Sequence, residues 1–60
     1  MEIEIELAPD QKEMESQITA LCVNVIKVNN RLVCVPQREK LMDLILLLMR
    51  NNIKYQLKTA

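Results

Sequence analysis

From Glu2 to Leu7 charged and apolar residues alternate without a break, which puts Ile3, Ile5 and Leu7 on one face of an extended strand and Glu2, Glu4 and Glu6 on the other. Ala8-Pro9-Asp10 ends this pattern, and Asp10 is suited to cap or start a helix in which Met14, Ile18, Leu21 and Cys22 recur at helical spacing. That helix is expected to be short, because β-branched Val23, Val25, Ile26 and Val28 then dominate and favour an extended chain. Asn29-Asn30 tolerates the positive φ angles of a two-residue hairpin turn. Such a turn sets Val28 opposite Arg31, Lys27 opposite Leu32, Ile26 opposite Val33, Val25 opposite Cys34 and Asn24 opposite Val35. Pro36 closes the second hairpin strand. Residues 37–51 follow as a helix with Leu41, Leu44, Ile45 and Leu48 in one apolar stripe, and Asn51-Asn52 suits its C-terminal turn. Residues 53–58 alternate again, with Ile53, Tyr55 and Leu57 expected inward.

The order strand, helix, strand, strand, helix, strand predicts a single small α+β domain over residues 1–60, of the ferredoxin-like or split βαβ type. Its sheet is antiparallel, in the spatial order fourth, first, third, second strand, with both helices covering one face. An alternative joins residues 10–28 into one long helix, which gives a helical hairpin with short flanking strands. The poor helix propensity of the valine-rich half weighs against it.

A chain of 60 residues buries only about 60% of the surface its unfolded form exposes, so its core alone is marginal and something else must add stability. With no His and only Cys22 and Cys34, the ligands for a zinc or iron–sulfur site are missing, and no metal or cofactor is expected. The hairpin register puts the two cysteines on opposite faces of the sheet, which predicts free thiols and a reducing compartment. The opening Met-Glu-Ile-Glu lacks a basic and then apolar leader, and the apolar run from Leu44 to Met49 is too short to span a bilayer. The expectation is a cytoplasmic protein without a membrane segment, stabilised by association.

Net charge is zero but unevenly divided: residues 1–20 hold six acids and one base, and residues 21–60 hold seven bases and two acids, giving −5 and +5. A first strand beside the last explains the division, since Glu2, Glu4 and Glu6 then face Lys54 and Lys58. The hairpin is different. Val23, Val25, Leu32 and Cys34 fall on one face and Ile26, Val28, Val33 and Val35 on the other, and only one face can lie under the helices. Strands apolar on both sides are normally covered on both sides, so a residual apolar patch is expected there. The second helix carries a similar surplus in Met42, Leu46, Leu47 and Met49. These eight residues, Ile26, Val28, Val33, Val35, Met42, Leu46, Leu47 and Met49, are the candidate interface.

Catalytic chemistry finds few residues. There is no His to activate Cys22 or Cys34, and no Gly for a phosphate-cradling loop. A sheet that reads RNA stacks bases on aromatics of its central strands, whereas Tyr55 in the last strand is the sole aromatic here. Nucleic acid is therefore disfavoured as a partner, although Arg31, Arg38, Lys40 and Arg50 form a candidate basic patch. Small oligomeric tautomerases use an N-terminal proline as base, but Met1-Glu2 occupies that end and Pro9 is internal. The element order and Cys22-Val23-Asn24-Val25 resemble small-molecule-binding domains of the ACT type, yet Ala8-Pro9-Asp10-Gln11 stands where those carry a Gly-bearing loop. The expectation is a non-enzymatic, homo-oligomeric interaction or regulatory protein that binds a protein partner. A small-molecule effector domain and a nucleic-acid-binding regulator are the alternatives.

Overall fold

The computed structural model describes residues 1–58. It is a small α+β fold with a four-stranded antiparallel sheet and two helices: β1 (Glu2–Glu6), α1 (Glu15–Ala20), β2 (Cys22–Val28), β3 (Arg31–Pro36), α2 (Leu41–Arg50) and β4 (Lys54–Lys58), ordered β2-β3-β1-β4 across the sheet. Residues 22–28 are a strand, so the long-helix alternative is excluded.

Each helix begins with a tight 3₁₀ segment, Pro9–Met14 before α1 and Arg38–Lys40 before α2. Asp10 is not the cap. The chain turns two residues earlier, at Ala8, and Pro9 takes the first position, where its missing N–H costs nothing. Gln11 secures this entry: its Oε1 accepts the Ala8 N–H at 3.0 Å, and its Nε2 donates to the Asn51 carbonyl at 3.0 Å. One side chain therefore ties the start of the first helical segment to the end of α2.

The end of α2 is a Schellman turn. Asn52 has φ 53°, its N–H donates to the Met49 carbonyl at 3.3 Å, and the Ile53 N–H donates to the Leu48 carbonyl at 2.9 Å. Ile53 and Leu48 are both buried in the core, the apolar contact that accompanies this motif. In the hairpin turn only Asn29 has a positive φ, 56°, the pattern of a type II′ turn.

Every hairpin pair expected from the turn is present, from Val28 opposite Arg31 to Asn24 opposite Val35. Beyond Asn24 the register shifts, because Cys22 pairs with Pro36 and Val23 is left as a bulged extra residue. The shift reverses two expectations. Val23 swings outward and is 72% exposed, while Cys22 turns inward and packs, half-buried, against the same core that holds Cys34. The two cysteines therefore share a face, and both remain free thiols.

The core is one cluster. Ile3 and Ile5 of β1 and Leu32 and Cys34 of β3 meet Ile18 of α1 and Leu44 and Leu48 of α2, with Leu7 and Ile53 at its edge. One face of the sheet thus receives both helices. β4 is covered less than its alternation suggests: Tyr55 and Leu57 pair with Ile5 and Ile3 and point the same way, yet both are exposed. Leu44 and Leu48 of α2 cluster with Ile3, Ile5, Leu32 and Cys34 of the two central strands, and Tyr55 and Leu57 of the edge strand are not part of that cluster.

Candidate interaction surfaces

The face of the sheet turned away from the helices has two unlike halves. On the β1 and β4 side a charged network forms around Glu4. Arg31 Nη1 donates to Glu4 Oε1 at 2.8 Å, Lys58 Nζ lies 2.6 Å from Glu4 Oε2, and Arg31 Nε lies 3.6 Å from Glu6 Oε1. Lys58 is level with Glu2 in the ladder but reaches diagonally to Glu4. The hydrogen bond from Lys58 is the largest cause that holds the Glu4 carboxyl below its ordinary value of 4.5, helped by the positive charge of Lys58 and Arg31 and opposed by partial desolvation. The acid and base halves of the chain therefore meet where the first and last strands pair.

The β2 and β3 half of the same face is apolar. Ile26 and Val28 are 55% and 51% exposed, and Val33 and Val35 lie beside them half-buried. The bulge adds Val23 to this group, which the sequence pattern assigns to the core. All four expected hairpin residues are thus together on one surface. Lys27, which points to the opposite side, is drawn back onto α1 by Glu15 at 3.4 Å, so it does not interrupt the patch.

The α2 members of the candidate set form a second, separate surface on the far side of the sheet. Leu44 and Leu48 are fully buried, Leu41 and Leu47 are half-buried against the core, and Ile45 is half-buried as well. Leu47 is in part a core residue. Met42, Leu46 and Met49 are exposed. Leu46 and Leu47 open onto a groove of about 490 Å³ between α1 and α2, where Gln17, Ala20 and Leu21 form the other wall and Asp43 and Arg50 stand at its two ends.

The basic residues are dispersed. Arg31 is engaged by Glu4 and Glu6 on the outer sheet face. Arg38 and Lys40 precede α2 and Arg50 ends it, separated by a ten-residue helix about 15 Å long.

The cysteine pair sits under the helices. Burial pushes the Cys34 thiol up to about 12, with the neighbouring Cys22 thiol adding to the effect. Burial raises Cys22 as well. Both are held as neutral thiols, the environment of packed cysteines rather than of nucleophiles. No helix of the described residues is long and apolar enough to cross a membrane. Set against known proteins, the chain matches no family model, no curated protein and no solved structure.

Proposed function

We propose that this chain is a non-enzymatic interaction or regulatory protein with a ferredoxin-like arrangement, which acts as a homo-oligomer and binds a second protein. The observation that carries the reading is the outer face of the β2–β3 hairpin, where Val23, Ile26, Val28, Val33 and Val35 stay apolar and accessible beside a charged half built from Glu4, Glu6, Arg31 and Lys58. An apolar area with a charged border is the usual form of a protein-binding surface. The engagement of Arg31 by two glutamates supports a protein partner over a polyanion, since among the described residues it leaves the outer face without a free basic cluster.

The small core supports association in the same way. Nine buried apolar side chains hold the described residues together, few for a chain that must fold unaided. The test is mass by light scattering on a sizing column at tens of micromolar. A mass at or above twice the 7.0 kDa of the chain is expected, and a clean monomer overturns the oligomeric part of the reading.

A further inference from the structure

The exposed face of α2 is complementary to itself. Asp43, Leu46, Leu47 and Arg50 stand at positions i, i+3, i+4 and i+7 and so form one stripe on the helix, turned away from the buried Leu44 and Leu48. The stripe reads acid, leucine, leucine, base, symmetric about the point between Leu46 and Leu47. If a second copy of α2 lies antiparallel across it on a two-fold axis through that point, residue 43 of one chain meets residue 50 of the other, and residue 46 meets residue 47. Each acid then faces a base, twice, with four leucines between them. Within one chain Asp43 and Arg50 are two helical turns apart, and neither belongs to an ion pair within 4.0 Å among the described residues. Ala20, small and on the opposite wall of the groove, allows a helix to approach closely.

We infer that the groove between α1 and α2 is the seat of a second copy of this chain, held as an antiparallel two-fold α2 pair with Asp43 and Arg50 as reciprocal partners. This rests on the proposed homo-oligomer and assigns its interface. It leaves the outer hairpin face, on the other side of the sheet, free for the different protein. A two-fold interface is isologous, so it closes at two chains and does not extend into filaments. A ten-residue helix makes a small interface, and a Kd in the micromolar range is expected.

The test is charge reversal. Asp43→Arg sets base against base at both ends of the helix pair, and Arg50→Asp sets acid against acid, so each variant alone should dimerise at least about tenfold more weakly than the parent. Both positions are exposed, and circular dichroism should match the parent. Mixing the two single variants restores an acid–base pair at both ends, because the heterodimer joins one reversed chain to the other: one end then carries the two introduced residues and the other the two original ones, each an acid facing a base. The double variant Asp43→Arg/Arg50→Asp restores both pairs in a homodimer. Recovery of the parent Kd to within about threefold in the mixture is the expected result. If the parent is a monomer, this assignment and the oligomeric reading fall together. If the parent is a dimer that both single reversals leave intact, or that Val33→Glu disperses in their place, the α2 assignment alone is overturned.

Discussion

Single residues hold the turns and set which faces are apolar. Asn52 stands at φ 53°, a conformation that costs an ordinary L-residue about 1–2 kcal/mol and that Asn and Gly bear best. Asn52→Val should therefore lower the unfolding free energy by roughly that amount, while Asn52→Gly should stay within about 0.5 kcal/mol of the parent, because easier backbone geometry offsets the freer unfolded chain. Urea titration at one protein concentration checks this, and a valine variant as stable as the parent would mean that the Schellman turn is not formed. The cysteines give a second residue-level test. Cys34 is wholly buried and held up to about 12, so iodoacetamide at mildly alkaline pH should modify Cys22 slowly and Cys34 only after unfolding. Peptide mapping by mass spectrometry reads the order; rapid labelling of Cys34 in the folded chain would show that the helices do not cover it.

At the scale of elements, the two halves of the outer sheet face answer to different perturbations. Glu4 sits between Lys58 and Arg31 and is held below its ordinary 4.5. A carboxyl lowered in the folded state contributes stability that is present above that ordinary value and is lost as pH falls through the folded one. Lys58→Gln should therefore shrink the stability difference between pH 7 and pH 3, and high salt should do the same to the parent because the network is at the surface. Lys54→Gln should change the acid profile less, since Lys54 is level with Glu6 but forms no ion pair within 4.0 Å among the described residues. Equal effects of the two changes would mean that Lys58 does not engage Glu4. The apolar half is tested by position. Ile5 is fully buried, and a carboxylate there costs several kcal/mol, a large part of the stability of so small a protein. Ile5→Glu should unfold the chain, whereas Val33→Glu, on the outer face, should keep the circular dichroism spectrum; unfolding by Val33→Glu would reverse the assignment of the hairpin faces.

These elements also mark how far the sequence could be read. The hairpin register was legible because a two-residue turn between Val28 and Arg31 dictates every pair until something inserts a residue. The bulge at Val23 was not legible, because Cys22 and Val23 are both apolar and swapping their faces leaves no break in hydropathy. It changed the two expectations that depended on parity, the separation of the cysteines and the burial of Val23. Tyr55 and Leu57 were placed on the correct face by alternation, but alternation reports direction and not cover, and cover depends on tertiary packing. The apolar excess of α2 was visible. Its division into a half-buried Leu47 and an accessible Leu46 depends on where α1 lies, which is a tertiary fact.

For the whole molecule, association and folding share one equilibrium. A core of nine buried side chains among the described residues leaves the isolated chain only marginally stable, so an α2 pair that forms from folded chains alone pulls the balance toward the folded state by mass action. Unfolding of a dimer releases two chains, and a tenfold rise in concentration then adds about 1.4 kcal/mol per dimer. In a protein of this size that amount moves the Tm by several degrees. Heating the parent at about 5 and about 50 micromolar, on either side of the expected Kd, should show that rise. Arg50→Asp alone, which opposes acid with acid across the two-fold axis, should melt at nearly the same temperature at both concentrations, and an equal mixture with Asp43→Arg should recover the dependence. The Arg50→Asp change adds an acid at the C-terminal end of α2, where the helix dipole disfavours it by about 0.3–1 kcal/mol. Its Tm is therefore expected to lie below the parent's even as a monomer, and the slope with concentration, not the Tm itself, carries the test. A parent whose Tm does not move with concentration would mean that the chain holds its fold without a second copy.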